Sequence, residues 1–426
     1  MDLIVSKNFK TLKGEVVVPS DKSISHRAVI LASVVKGKSV IKNFSQAQDP
    51  NSSLEVCKKL GIIAEKQDNT LIINSSGKLT VPNSKLDCGN SGTTMRLISG
   101  ILAGQDFNSE LTGDESLSKR PMKRVIEPLE LMGANIHSEN FHAPLSIYGS
   151  RLSGINYSSK ISSAQVKSCV LLAGLNAEGV TTFSEPSLSR NHTELMLKSM
   201  GADILVENLK VSVRKSELSP LNITICSDIS SAAYFIVAGL VVPNAKIILR
   251  NVGLNPTRTG ILKVAQQMGA NIKILEKREI CSEVVGDLEI NYTPDLKGCE
   301  ISGEIIPTLI DEIPVIALLA TQAEGKTVIK DAQDLRNKES DRIRTTVSEL
   351  QKLGANINET NDGMVIEGRT KLDGDFEVNS YQDHRLAMTL YVAGLICSKE
   401  ILIKDFDWVK ISFPNFVELF EKLKTS

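Results

Sequence analysis

The chain has 426 residues, with 49 basic and 50 acidic side chains and 4% aromatic content. It is longer than one hydrophobic core usually serves, so two domains are expected. The balanced charge excludes a global affinity for nucleic acid or anionic membrane, and so few aromatic rings exclude a base-stacking platform, so strong anion binding would have to come from local clustering. Seven cysteines, at positions 57, 88, 169, 226, 281, 299 and 397, are odd in number and form no Cys-x-x-Cys pair. They read as free buried thiols of a reducing cytosol and not as a disulfide framework or zinc site. Met1 to Lys7 carries an acid early and too short an apolar run for a signal peptide, and the longest apolar run, Ala232 to Val242, stops at Pro243. A cytoplasmic protein without a membrane span is expected.

In chain order, Gly14 to Val18 reads as a short strand, followed by Pro19-Ser20-Asp21-Lys22-Ser23-Ile24-Ser25-His26-Arg27 at the start of a helix. Ala28 to Val35 is too apolar for an exposed helix; Ser20 is the candidate N-cap and Gly37 the candidate C-cap. Ser23 and Arg27 share one helix face, and Lys22 and His26 another, near the end where free N–H groups favour an anion.

A pattern then recurs: apolar helix, strand, a second helix ending in Leu or Met before Gly, and alternating β-like residues. Its marks are Leu60-Gly61, Met132-Gly133, Met200-Gly201, Met268-Gly269 and Leu353-Gly354. Their spacing of roughly 70–85 residues exceeds solenoid periods, so each copy reads as a small α/β subdomain. The opening helices begin at Ser23, Ser91-Gly92, Ser162-Ser163-Ala164-Gln165, Ser227-Asp228, Asp311-Glu312 and Gln382-Asp383-His384-Arg385. Runs apolar nearly all round follow, so these are buried helices whose polar N-termini face something. Six of them, three per domain, would aim positive ends into one interdomain cleft.

Cations gather in Arg120-Pro121-Met122-Lys123-Arg124, in Arg336 to Arg342 and at Arg385. Spacing alone leaves Lys338, Glu339 and Arg342 open to a plain reading as i,i+4 helix support. Lys36-Gly37-Lys38-Ser39 lacks the earlier glycine of a P-loop, and no His or Cys cluster suggests a metal. The five histidines are dispersed and read mostly as surface or capping residues.

Asp21-Lys22-Ser23-Ile24-Ser25-His26-Arg27, Gly89-Asn90-Ser91-Gly92-Thr93-Thr94-Met95-Arg96, Arg120-Pro121-Met122, Lys338-Glu339-Ser340-Asp341-Arg342 and Asp383-His384-Arg385 together resemble the EPSP synthase (3-phosphoshikimate 1-carboxyvinyltransferase) family, nearly end to end and in order. The resemblance implies a two-domain inside-out α/β barrel of the enolpyruvyltransferase type, each domain three βαβαββ repeats. It implies a continuous domain over 20–226, a discontinuous one over 1–19 plus 227–426, and an active site in the cleft between them. It also implies transfer of the enolpyruvyl group of phosphoenolpyruvate to the 5-hydroxyl of shikimate 3-phosphate, without metal or organic cofactor, in a monomer.

By the family pattern Lys22, Gly92, Arg120, Gln165, Arg342 and Arg385 would hold phosphoenolpyruvate. Ser23, Arg27, Ser163, Ala164, Gln165, Lys338 and Arg190 would hold shikimate 3-phosphate. Asp311 would take the hydroxyl proton, and Glu339 and Lys22 share the proton at C3. These types suit the chemistry: two phosphates and two carboxylates bring about six negative charges, which guanidinium forks match. The sequence departs from some members at Ile411, where a phosphoenolpyruvate-binding lysine stands and Lys410 is displaced by one residue. Gln165-Val166-Lys167 and Ser189-Arg190-Asn191-His192 resemble the second sequence class, and Gly92 stands where members insensitive to glyphosate often carry alanine. Two rival readings are a UDP-N-acetylglucosamine enolpyruvyltransferase, disfavoured by Ser23 after Lys22 and by the absence of cysteine in Leu117-Ser118-Lys119, and a non-catalytic metabolite-binding protein, disfavoured by Lys22, Asp311 and Glu339.

Overall fold

A computed structural model describes residues 1–280 and 283–425. Cys281 lies outside the described residues. Two compact units emerge: Ser20–Cys226 with Glu279–Glu283, and Met1–Pro19 with Ser227–Arg278 and Val284–Ser426. Of the described residues, Glu279, Ile280 and Glu283 group with the first unit.

The first unit contains three four-stranded sheets of one design, each with one parallel and two antiparallel pairings. In the second sheet, for example, Leu86–Asp87 runs parallel to Ser109–Thr112, which pairs with His142–Tyr148, which closes a hairpin with Asn135–Glu139. The first sheet takes its leading strand from the far end of the unit, Asn222–Thr224 beside Lys36–Lys42. The strand expected at Gly14 to Val18 is observed at Thr11–Val16, in the other unit, parallel to Lys246–Gly253.

The second unit repeats the plan with sheets of five, four and three strands. In the last, the place beside Ile401–Lys404 is taken by Leu3–Val5, because the chain beyond Phe416–Leu423 returns to lay Lys424–Thr425 against Thr11–Val16.

The helices lie inside and the sheets outside. Lys22–Ser33, Gly92–Leu102 and Ala164–Gly174 are buried along most of their length in the first unit, as are Ile229–Val241, Ile313–Thr321 and His384–Gly394 in the second. Burying each Leu, Ile or Phe among them contributes about 1.5–3 kcal/mol. Close approach demands small residues: a Cβ on Gly100 would lie 2.2 Å from the Cys169 carbonyl oxygen of the neighbouring helix. In the second unit Phe235 stacks on Phe420 at 4.1 Å, with Phe413, Phe416 and Tyr391 around them. The five repeat-marking glycines, Gly61, Gly133, Gly201, Gly269 and Gly354, all have φ between +84° and +101°, the left-handed conformation that ends the second helix of a repeat.

Of the six described cysteines five are buried, whereas Cys299 is only half-buried. Among the described residues no helix is long and apolar enough to cross a membrane.

Candidate active site

In the first unit the helix Lys22–Ser33 is capped by Asp21, whose Oδ1 accepts the Ile24 N–H at 2.8 Å. Ser20 is therefore not the cap, because the longer Asp21 side chain already reaches the third helical N–H. Gly37 is not the C-cap: the helix ends at Ser33, and Gly37 lies in the strand Lys36–Lys42 at φ +125°. The Lys22 ammonium pairs with Asp49 Oδ2 at 2.8 Å. Arg27 is buried, with Nε on Thr193 Oγ1 and Nη2 on Ser168 Oγ, both at 2.8 Å, and Nη1 on the Ser23 carbonyl at 3.0 Å. Arg190 Nη1 reaches Ser23 Oγ at 3.4 Å.

Ser91 caps the helix that Gly92 opens, and Ser163 caps the helix that Ala164 opens. Gln165 joins these two helix starts, accepting from Arg96 Nη1 at 2.6 Å and donating to Thr93 Oγ1 at 3.0 Å. Arg120 Nη2 donates to Asn90 Oδ1 at 2.8 Å and Ser116 Oγ at 3.2 Å. Gly92, Arg120 and Gln165 therefore gather around Arg96, while Ser23, Arg27 and Arg190 form a second group. Arg96 and Asp49 were assigned no role from sequence. Arg96 ends the Gly89 to Arg96 stretch that carries the family resemblance, whereas nothing local in the sequence distinguishes Asp49.

His26, expected beside Lys22 at a helix start open to an anion, is instead wholly buried with Nδ1 2.7 Å from Ser53 Oγ, and His192 and His384, read with the other histidines as mostly surface or capping residues, are buried too. Burial pushes the His26 imidazole down to about 3, because a cation there has no water. His26 is thus a neutral core residue joined through Ser53, Thr94 and Ser91 to the next helix start.

In the second unit Asp228 and Asp383 cap the helices they precede. Asp311 does not cap: it lies in a 3-10 turn, Ile310–Glu312, before Ile313–Thr321, whose second residue is Pro314. Three cations converge on its carboxylate: Arg342 Nη1 at 3.4 Å and Lys338 Nζ at 3.6 Å from Oδ1, and Arg385 Nη2 at 3.8 Å from Oδ2. Lys338 also pairs with Asp334 at 3.2 Å. Arg342, 1% exposed, meets Asp383 through Nε at 2.7 Å and through Nη2 at 3.2 Å, and Glu339 Oε2 through Nη2 at 2.6 Å. Lys338 and Glu339 precede the helix Arg342–Lys352, so the cluster is not i,i+4 support; Asp341 caps that helix by accepting the Arg344 N–H. Burial opposes the Arg342 charge, but Asp383 and Glu339 outweigh it and hold its pKa above the usual arginine value. Arg385 is likewise raised against its burial, by Asp311 first. Asp383 is held below the usual carboxylate range, with Arg342 outweighing burial. Lys410 pairs with Asp407 at 2.7 Å and is largely exposed.

Each unit therefore presents helix starts bearing fixed cations beside carboxyl groups that can exchange protons, an arrangement suited to phosphorylated and carboxylated small molecules. The fold is shared with enolpyruvyl transferases. An EPSP synthase structure from Acinetobacter baumannii superposes with a TM-score of 0.89 at 40% identity, covering 100% of this chain and 99% of that one. The enolpyruvyl transferase NikO from Streptomyces tendae, at 17% identity and TM-score 0.82, shares the fold. The family model for EPSP synthase (3-phosphoshikimate 1-carboxyvinyltransferase) matches residues 7–420. A 3-phosphoshikimate 1-carboxyvinyltransferase from Thermodesulfovibrio yellowstonii is 53% identical over 427 residues, covering 99% of each chain. One from Bacillus subtilis is 50% identical over 419 residues, covering 97% of this chain and 98% of that one. The chain belongs to the EPSP synthase family.

Proposed function

We propose that this chain transfers the enolpyruvyl group of phosphoenolpyruvate to the 5-hydroxyl of shikimate 3-phosphate, giving 5-enolpyruvylshikimate 3-phosphate and phosphate. The observation that carries this reading is the convergence of Lys338, Arg342 and Arg385 on Asp311, with Glu339 on Arg342. It sets a candidate base and a candidate acid among the cations that two polyanionic substrates need.

A proton delivered to C3 of phosphoenolpyruvate makes C2 electrophilic. The 5-hydroxyl adds there as its proton passes to Asp311. The tetrahedral adduct then loses a C3 proton and expels phosphate, restoring the double bond. Glu339 and Lys22 are the groups assigned to C3. Lys22, Gly92, Arg120, Gln165, Arg342 and Arg385 are assigned to phosphoenolpyruvate, and Ser23, Arg27, Ser163, Ala164, Gln165, Arg190 and Lys338 to shikimate 3-phosphate. Proton transfer and fixed cations in a water-poor site can supply the acceleration without metal or organic cofactor. A nucleotide-sugar acceptor is disfavoured by Ser23 and by Leu117-Ser118-Lys119 before Arg120. We place the protein in the cytoplasm, on the scatter of its mostly buried cysteines, and expect a monomer.

Phosphate release, measured with both substrates and with each omitted in turn, tests the reaction; release without shikimate 3-phosphate would sink the assignment. Lys22→Ala and Asp311→Ala should each lower turnover by at least about a hundredfold. Near-normal turnover in either folded variant removes that residue from the mechanism.

A further inference from the structure

The functional assignment makes no use of Lys167, yet this side chain is 0% exposed and faces Glu185 and Glu194, 2% and 4% exposed. It stands on the helix Ala164–Gly174, two residues beyond Gln165. Its Nζ donates to Glu185 Oε1 at 2.8 Å and to the Ser189 carbonyl at 3.2 Å, and lies 2.7 Å from Glu194 Oε1. The three acceptors are spread along one connecting segment. Glu185 follows the strand Val180–Ser184, Ser189 lies midway, and Glu194 stands in the first turn of His192–Ser199. The Glu185 carboxylate also accepts the Ser189 N–H at 3.0 Å, so the segment wraps around the ammonium. Ser187 is tied separately, its N–H donating to Ser162 Oγ at 3.0 Å. The residue after the pinned Ser189 carbonyl is Arg190, whose guanidinium reaches Ser23 Oγ.

Stability alone is a poor account of this arrangement. One ammonium faces two carboxyl groups, and the second oxygens of both, Glu185 Oε2 and Glu194 Oε2, are buried with no hydrogen-bond partner among the described residues. Buried ion clusters of that kind are commonly matched or exceeded in stability by apolar side chains of similar volume. Apolar replacements, however, could not grip a backbone carbonyl and two carboxylates at once. We propose that Lys167 is a positioning residue that fixes the Glu185–Glu194 segment so that Arg190 meets the phosphate of shikimate 3-phosphate. The inference rests on the assignment of Arg190 made above.

The test is steady-state kinetics of the full-length enzyme, with shikimate 3-phosphate varied at saturating phosphoenolpyruvate, for Lys167→Met, Arg190→Ala and the double variant. Lys167→Met should raise KM for shikimate 3-phosphate about tenfold and leave kcat and KM for phosphoenolpyruvate within about twofold. Because the loss acts through Arg190, the double variant should have a KM no larger than that of Arg190→Ala alone. Effects that multiply, or a fall in kcat with KM for shikimate 3-phosphate unchanged, overturn the proposal. If Arg190→Ala alone leaves that KM unchanged, the assignment of Arg190 fails and the inference falls with it, a result separable because it needs no change at Lys167. Should Lys167→Met not fold, Glu185→Gln removes a charge while keeping an oxygen for the Ser189 N–H. A rise of about threefold that vanishes in the Arg190→Ala background supports the proposal, and an unchanged or multiplicative KM overturns it.

Discussion

A methyl group at position 92 would sit 2.9 Å from Arg96 Nη1 and 3.6 Å from Arg120 Nη1. Position 92 is where members insensitive to glyphosate often carry alanine, and in this structure two guanidinium groups border the space such a methyl group would enter. Its backbone is outside the left-handed region, so alanine fits without strain, and the cost falls on Arg96, which must shift away from Gln165. We therefore expect glyphosate to inhibit competitively with phosphoenolpyruvate. Gly92→Ala should raise the inhibition constant about tenfold or more while KM for phosphoenolpyruvate rises less, because a ligand that fills the space more fully loses more when it narrows. Equal changes in both constants would sink the steric argument. Local chemistry made the caps Ser91, Ser163, Asp228 and Asp383 readable in the sequence, since each acts on an N–H two or three residues ahead. The bond between Arg96 and Gln165 spans 69 positions and Lys22 to Asp49 spans 27, distances over which the sequence carries no sign of contact.

The helix is the unit in which a cap and the placing of a buried cation become one design. Asp383 accepts the Arg385 N–H at 2.9 Å with the same carboxylate that grips Arg342. Asp383→Asn should therefore keep an oxygen for the cap but leave the buried Arg342 charge short of a partner, costing about 3–5 kcal/mol of stability. KM for phosphoenolpyruvate should rise in parallel; chemical denaturation and kinetics on the same preparation check both, and a variant as stable as the parent refutes the coupling. A second helix-level prediction concerns acid. His26 is held neutral by burial, with its folded pKa lowered to about 3 from 6.5. Above pH 6.5 neither folded nor unfolded chain is protonated there, so the full stability is present. As the pH falls below 6.5 only the unfolded chain takes up the proton, and stability is lost progressively down to about 3. Between pH 6.5 and 5 this one group costs about 2 kcal/mol. Urea unfolding at pH 7 and pH 5 measures the loss, and His26→Gln should be flatter over that interval; an equal slope would assign the loss elsewhere. Helix polarity and burial were legible from the apolar runs, but the 3-10 turn at Asp311 was not, because Asp-Glu before Ile-Pro reads equally well as an ordinary first turn.

Across the whole molecule, 49 basic and 50 acidic side chains almost cancel, so affinity for anionic substrates rests on local groups. Shikimate 3-phosphate present at about 100 times its dissociation constant should add about 2.7 kcal/mol to stability and raise the melting temperature by roughly 3 °C. Arg190→Ala and Lys338→Ala should each lose most of that rise. Scanning calorimetry decides it, and a parent protein that shows no shift would argue against binding. The repeat was legible because its glycine marks recur; the source of each sheet's first strand was not, because Asn222–Thr224 and Thr11–Val16 are supplied by segments far along the chain. That exchange has a consequence during synthesis on the ribosome. Every strand of the three sheets over 36–224 finds its partner within that span, so those sheets can close as soon as Thr224 has emerged. Thr11–Val16, made before those three sheets, must instead wait as an unpaired, aggregation-exposed strand until Lys246–Gly253 leaves the exit tunnel, and Leu3–Val5 waits until Ile401–Lys404 does. Strands made ahead of the first three sheets are thus sheltered only after them, and stand open in the meantime to any chaperone that meets emerging polypeptides.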